Sequence, residues 1–115
     1  MFDFEKLDVY ALSKKIHLLV VRFVKNQAGI DQTTKNQLRR ASLSIVLNIA
    51  EGSGKFSHPD KRNFYTTSRG SVYECVAIFD VLKDEGAIDE MFYREMYGQY
   101  ETLSKMLFGL IQSQR

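Results

Sequence analysis

Apolar residues recur with the 3.6-residue period of amphipathic helices in four segments, separated by short breaks that contain glycine. Ser57 and Asp89 stand at the start of the third and fourth segments as N-cap residues, with Pro59 in the first turn of the third. Asp31 or Thr33 can begin the second segment. The pattern predicts helices over residues 6–27, 33–52, 58–85 and 89–113.

The short connections between these long helices require neighbouring helices to run antiparallel. The predicted fold is therefore all-α: a single up-down-up-down antiparallel four-helix bundle domain over residues 1–115. The chain has one proline and no useful stretch of β-type alternation, which argues against a sandwich or barrel. No apolar run is long enough for a membrane span, and the one cysteine excludes an internal disulfide, so we expect a reduced, cytoplasmic protein without membrane contact.

The helices carry more apolar surface than one bundle needs. In the second helix, Leu43 and Leu47 fall nearly opposite the core stripe that contains Leu38, Ile45 and Ile49. The third and fourth helices add further residues outside their core stripes: Tyr65, Tyr73, Val76, Tyr93, Tyr97, Tyr100, Phe108 and Ile111. Such stripes are typical of protein interfaces, although a bundle with a few surface tyrosines is the alternative. We expect a homo-oligomer, with Leu43, Leu47, Tyr73, Tyr97 and Phe108 as candidate interface residues.

Positive charge is concentrated in one part of the chain. The formal net charge is only +2, yet residues 14–69 contain eleven Lys and Arg against three Asp and Glu. A local excess of this kind can attract nucleic acid, although it can equally be the solvated surface of helices. Tyr65 lies in this region and could stack on a base. The candidate nucleic-acid-binding residues are Lys35, Arg39, Arg40, Lys55, Lys61, Arg62 and Arg69.

Signatures of catalysis or metal binding are weak. His17 and His58 lack the acidic partners of a di-iron bundle, and Cys75 falls on the core stripe of its helix. Glu51 and Glu74 could form an acid–base pair, but a structural polar network with Asn48 and Ser71 is favoured. Gly70, inside the third helix, indicates a close helix approach. We therefore expect no enzyme activity, no cofactor and no metal.

Four sequence blocks stand in an order that resembles a known family. They are Phe4–Tyr10 (FEKLDVY), Gln37–Ser42 (QLRRAS), Asn48–Gly54 (NIAEGSG) and Arg69–Glu74 (RGSVYE). Together they resemble the bacterial four-helix bundle family encoded in intervening sequences of 23S ribosomal RNA genes. The resemblance covers nearly the whole chain, and the Asn-Ile-Ala-Glu-Gly block is its most specific part.

The resemblance implies a bundle that assembles into a ring, commonly a pentamer, with no known enzymatic activity. One branch of the family is the accessory protein of diversity-generating retroelements, which binds reverse transcriptase and nucleic acid. Arg39, Arg40 and Arg69 match family motif positions, whereas Lys55, Lys61 and Arg62 do not. The prediction is thus a non-enzymatic oligomer with RNA, DNA or a reverse-transcriptase-like enzyme as partner. A protein-interaction scaffold without a nucleic-acid role is the alternative, and an enzyme using Glu51 and Glu74 is a further one.

Overall fold

A computed structural model describes all 115 residues and contains four long helices and no strand. The helices are α1 (Asp8–Asn26), α2 (Gln32–Ser53), α3 (His58–Asp84) and α4 (Glu90–Gln112). The four predicted helices are confirmed, and their ends differ from the predicted ones by at most two residues. The difference at the N-terminus has a structural cause, because Asp3–Lys6 forms a separate 3₁₀ turn that packs on α1 and α2.

The three predicted N-cap positions close the helix starts as expected. The Asp31 carboxylate accepts a hydrogen bond from Thr34 N at 2.8 Å. The Ser57 hydroxyl accepts from Asp60 N at 3.1 Å, and the Asp89 carboxylate from Phe92 N at 2.8 Å. Each of these bonds satisfies one backbone N–H that the first turn of a helix leaves without a partner.

Neighbouring helices run antiparallel, and each packs on two others. Gln27, just after α1, donates from Nε2 to Ala87 O beyond the end of α3, so α1 and α3 end at the same end of the bundle. Arg62, near the start of α3, donates to Gln114 O after α4, which sets those two helices antiparallel. Since α1 packs on α2 and α4, and α3 packs on the same two, the topology is the predicted up-down-up-down bundle.

The core lies along the bundle axis and contains residues from all four helices. Phe23, Phe79 and Phe92 stack around one another with ring centroids 5.2–6.0 Å apart, and Tyr100 extends this aromatic cluster. The buried cluster comprises Val9, Ile16, Val20, Leu38, Ala41, Ile45, Ile49, Val72, Cys75, Phe79, Leu82, Met96, Tyr100, Leu103 and Leu107. The core stripes predicted from the period therefore face inward.

Two tyrosines are buried where the sequence predicted surface positions. Tyr65 is 2% exposed and Tyr100 is 1% exposed, so neither belongs to an outer stripe and Tyr65 cannot stack on a base. The reason is that α3 and α4 bury sectors wider than a single stripe. Burial raises the pKa of Tyr65 and raises that of Tyr100 well above its usual range.

The close helix approach occurs at Gly52 rather than at Gly70, where it was predicted. Gly70 is exposed, and a Cβ built there would meet nothing within 4 Å. A Cβ at Gly52 would instead lie 2.7 Å from Tyr65 Cε1 and 2.9 Å from Phe64 Cβ. The missing side chain of Gly52 is thus what lets the start of α3 pack closely on the end of α2.

Candidate interaction surfaces

The outer face of α2 carries two of the predicted interface residues. Leu43 is 41% exposed and Leu47 is 48% exposed, although both are large apolar side chains on a well-packed helix. Arg40 and Glu51 are also exposed, and their spacing from the leucines places all four on the same side of α2. We call the residues Arg40, Leu43, Leu47 and Glu51 the α2 stripe.

The other three predicted interface residues lie on the side of the bundle formed by α3 and α4. Tyr73 is 59% exposed, Tyr97 45% and Phe108 50%. Tyr73 and Tyr97 line an open groove of about 510 Å³ between these helices. We call this the α3–α4 groove. Its α3 wall includes Arg69, Tyr73, Val76 and Asp80, and its α4 wall includes Tyr93, Tyr97, Glu101 and Lys105.

Arg69 closes one end of the α3–α4 groove. Its Cζ atom lies 5.1 Å from the Tyr73 ring centroid and 5.6 Å from that of Phe108, a cation–π arrangement with both rings. Its Nε donates to Ser104 O at 3.3 Å, which leaves the terminal N–H groups of the guanidinium without a partner in the chain. Phe108 is therefore held at the groove end through Arg69.

The opposite end of the α3–α4 groove has an acidic group on α3. Asp80 accepts from Lys83 Nζ at 3.3 Å, and Lys83 Nζ lies 4.3 Å from the centroid of the Tyr93 ring. The hydrogen bond to Asp80 raises the pKa of Lys83. The Asp80 side chain remains half exposed, so the groove has an acid at one end and Arg69 at the other.

The seven basic candidates do not form one surface. Lys55 Nζ lies 4.9 Å from the Phe64 ring centroid, and Lys61 Nζ donates to Ser53 O at 2.8 Å, where it caps the end of α2. Arg62 donates to Gln114 O, and Arg69 belongs to the α3–α4 groove.

The other three basic candidates have no contact of this kind within the chain. The side chains of Lys35, Arg39 and Arg40 form no hydrogen bond or salt bridge within the chain, and they lie near the start of α2. The antiparallel register of α2 and α3 separates them from the other four. The open cluster near the start of α2 therefore contains three of the seven candidates, and the other four have contacts within the chain.

The predicted polar network forms in part, between Asn48, Ser44 and Ser71. Asn48 Nδ2 donates to Ser44 O at 2.8 Å and to Ser44 Oγ at 3.0 Å, while the Ser71 hydroxyl donates to Ser44 Oγ at 3.0 Å. Ser44 is thus the residue that joins Asn48 to Ser71 across α2 and α3. Ser44 stands four residues before Asn48, a spacing that brings the two side chains together on one face of α2.

Glu51 and Glu74 do not join this network, which corrects their predicted placement. Glu74 is exposed and accepts from Gln37 Nε2 at 3.4 Å, whereas Glu51 is exposed on the outer face of α2. Gln37 and Glu51 are fourteen residues apart on one helix, which is about 21 Å. The two carboxylates are consequently too far apart to act as an acid–base pair.

A second, polar groove of about 450 Å³ lies between α2 and α3. Arg40 and Glu74 stand on opposite walls, and Ser44 and Ser71 lie between them. Only one of its lining residues, Ala41, is apolar. Arg40 therefore belongs both to the lining of this polar groove and to the α2 stripe.

The remaining reactive side chains are buried or scattered. Cys75 is fully buried, and this burial raises the pKa of its thiol to about 12. No group of three or more His, Cys, Asp or Glu residues is placed to hold a metal ion. None of the helices combines the length and the hydropathy of a membrane-crossing segment.

The fold and its surfaces define an all-α up-down four-helix bundle with two exposed apolar faces. Comparison with known families then identifies the family of the chain, because residues 5–109 match the model of the 23S rRNA-intervening sequence protein family. The chain belongs to this family, as the resemblance of its four sequence blocks indicated.

A solved structure supports the fold. The chain is similar to a crystal structure of a protein of unknown function from the S23 ribosomal protein family of Bacteroides thetaiotaomicron VPI-5482. The TM-score is 0.81 at 20% sequence identity, and the alignment covers 90% of this chain and 97% of that one. The comparison with curated proteins gave no match.

Proposed function

We propose that this protein is a non-enzymatic, cytoplasmic assembly protein whose copies associate into a closed ring, with five copies as the family resemblance implies. The observation that carries the proposal is the pair of exposed apolar faces, the α2 stripe and the α3–α4 groove. Large apolar side chains at helical spacing on a monomer surface indicate a protein interface. Tyrosine and phenylalanine are enriched in such interfaces, and both occur in and beside the groove.

The positions of the two faces favour a ring over a symmetric dimer. The α2 stripe points outward from α2, and α2 has no packing contact with α4, one of the two helices that form the groove. A protomer with two different, well-separated interaction faces associates head to tail, and such contacts close into rings when the rotation between copies allows it. A dimer whose two-fold axis passed through one face would bury that face and leave the other in water.

The absence of a catalytic role is proposed from the chemistry of the available groups. The thiol of Cys75 is buried and has a raised pKa, which makes it a poor nucleophile. The two glutamates that could have formed an acid–base pair lie on different parts of the α2–α3 surface. The buried polar side chains, by contrast, form helix-to-helix bonds such as the one from Ser68 Oγ to Ile45 O at 2.8 Å.

Sedimentation velocity over a wide range of concentrations tests the assembly. We expect one discrete species several times heavier than the 13.3 kDa protomer. The Leu47→Ser/Tyr73→Ser variant should sediment as a monomer, whereas Leu18→Ser, which changes a 54% exposed leucine on α1, should behave like the wild type. A wild-type protein that stays at 13.3 kDa at all concentrations contradicts the proposal.

A second candidate function is binding of nucleic acid, or of an enzyme that acts on it. The observation that favours it is the cluster of Lys35, Arg39 and Arg40, which has no partner within the chain. Free arginine and lysine side chains bind phosphates, and such binding weakens as salt rises because counterions are released.

Filter binding of 23S ribosomal RNA fragments at two salt concentrations tests this second candidate. The Lys35→Ala/Arg39→Ala variant, which keeps Arg40, should lose most retention at the lower salt concentration. The control Lys15→Ala/Arg22→Ala removes the same charge from the exposed surface of α1 and should retain RNA like the wild type. Equal retention by wild type and the first variant refutes nucleic-acid binding through this cluster.

A further inference from the structure

We propose that the α2 stripe of one copy binds in the α3–α4 groove of the next copy, with Arg40 facing Asp80, Leu47 facing Tyr73 and Glu51 facing Arg69. This inference rests on the proposed self-assembly and adds which surfaces meet and in which register. The partner is a second copy of this chain.

The first argument is that the charges of the two surfaces match in order. Along α2, the stripe begins with a base, Arg40, and ends with an acid, Glu51. Along α3, the groove wall has the base Arg69 at one end and the acid Asp80 at the other. When the α2 stripe is laid antiparallel to α3, each charge faces its opposite, whereas the parallel orientation brings like charges together.

The second argument is that the spacings agree. Arg40 and Glu51 are eleven residues apart, as are Asp80 and Arg69, and each pair therefore spans about 17 Å of helix. Within these spans, Leu47 falls level with Tyr73 in the antiparallel register, and Leu43 falls level with Ala77, next to Val76. A single register thus satisfies both charged ends and both leucines.

The third argument concerns the groups that the isolated chain leaves unused. Arg69 uses only its Nε within the chain, so its terminal N–H groups can donate to a carboxylate at its groove end. Asp80 is half exposed, and its pairing with Lys83, three residues away, is a local contact that does not prevent a second partner. Neither Arg40 nor Glu51 forms a salt bridge in the chain.

The apolar part of the groove suits the leucines. Tyr73, Tyr93 and Tyr97 line an open space of about 510 Å³, and aromatic walls of this kind hold the apolar side chains of an incoming helix. In this arrangement Arg40 is used by the interface, and Lys35 and Arg39 remain at its rim. In the assembly, therefore, only Lys35 and Arg39 of the basic cluster remain available to bind nucleic acid.

A mixing experiment tests which surfaces meet. Leu47→Asp disables the stripe and Tyr73→Asp disables the groove, so each variant alone should be monomeric, with association weakened at least about 30-fold. Each variant keeps one intact face, and an equimolar mixture should therefore form a 1:1 heterodimer and nothing larger. Both positions are exposed, and circular dichroism checks that both variants remain folded.

The outcomes of this experiment separate the inference from the proposed function. If wild type assembles but the mixture stays monomeric, the two faces do not bind each other and the inference is wrong, while self-assembly stands. If wild type is itself monomeric, both fail. A mixture that forms the 1:1 heterodimer supports the inference.

A charge-reversal pair tests the register. Arg40→Glu and Asp80→Arg should each weaken association about tenfold, because each places like charges opposite one another. The double variant should restore most of the wild-type affinity, since every interface then contains the reversed pair. Arg22→Glu makes the same charge change on the exposed surface of α1 and should leave affinity unchanged. Two additive losses without rescue in the double variant would show that these residues do not face each other.

Discussion

Gly52 packs directly against Tyr65, and a Cβ at residue 52 would stand 2.7 Å from Tyr65 Cε1. This contact joins the end of α2 to the start of α3 at a position where both residues are buried. Gly52 also lies inside the Asn48–Gly54 block, the most specific part of the family resemblance. The contact therefore gives that glycine a packing role.

We expect Gly52→Ala to lower the free energy of unfolding by about 1–3 kcal/mol, because the new methyl group overpacks a close helix contact. Gly70→Ala is the matched control: Gly70 is also within a helix, but a Cβ there meets nothing within 4 Å. That variant should be stabilised by up to about 1 kcal/mol through helix propensity. Urea denaturation of both variants measures the difference, and a Gly52→Ala protein as stable as Gly70→Ala would contradict the packing argument.

Tyr100→Phe should leave the protein as stable as the wild type or more stable by up to about 2 kcal/mol. The buried Tyr100 hydroxyl bonds no nitrogen or oxygen of the chain and has only the Cys75 thiol, a weak partner, beside it, so its removal lowers a desolvation penalty while the ring stays in place.

Ser68→Ala provides the contrast for Tyr100→Phe. It removes a buried hydroxyl that donates to Ile45 O at 2.8 Å and should cost about 1 kcal/mol. Urea denaturation of the two variants under identical conditions makes the comparison. A loss of stability in Tyr100→Phe as large as that in Ser68→Ala would mean that the tyrosine hydroxyl is satisfied in solution.

The stability of the wild type should fall as the pH is lowered below about 6.5, with His17 contributing to the fall. Partial burial and then the nearby Arg39 charge lower the pKa of His17, whose Nδ1 lies 2.8 Å from Ser42 Oγ. The unfolded chain therefore binds the proton more readily than the folded one, and protonation favours unfolding between the two pKa values.

Urea denaturation at about pH 7.5 and about pH 5.5 checks this. His17→Gln should show a smaller loss between the two pH values than the wild type, because it keeps polar hydrogen-bonding atoms and does not titrate. His58→Gln is the control, since His58 is exposed at the start of α3, beside Gln114. An unchanged pH dependence in His17→Gln would exclude His17 as a source of the effect.

Cys75 should react with iodoacetamide at least about 100-fold more slowly in the native protein than in guanidinium chloride. Only the thiolate reacts, and a buried thiol with a pKa of about 12 is almost entirely protonated at neutral pH. The variant Cys75→Ala/Thr66→Cys moves the thiol to an exposed site on the same helix and should react at the rate of a free thiol. Rapid native labelling of Cys75 would show that the core opens more readily than its packing indicates.

Most of the fold could be predicted because its signals are local. The N-caps at Asp31, Ser57 and Asp89 bond to backbone groups three residues away, and the starts of α2, α3 and α4 follow from them. The exposure of Leu43 and Leu47 was equally predictable, since residues opposite a core stripe on the same helix point outward.

The errors concern residues whose surroundings depend on another helix. Tyr65 and Tyr100 looked like surface residues by their position on one helix, and they are buried because the neighbouring helices leave room for them. Glu51 and Glu74 looked close because both stand in polar stretches, and the register of α2 against α3 separates them. Lys61 and Arg62 looked like free charges, and they bond to backbone oxygens at helix ends.

The four helices, their limits and the apolar residues that exceed the needs of one core can be predicted from the chain, because they depend on spacing within single segments. Which bases stay free, which tyrosines are buried and which charges line the α3–α4 groove is set by the packing of the helices on one another. These properties depend on the rotation and register of each helix against its neighbours. Rotation and register follow from close packing across the bundle, and the residue pattern of a single helix does not reveal them.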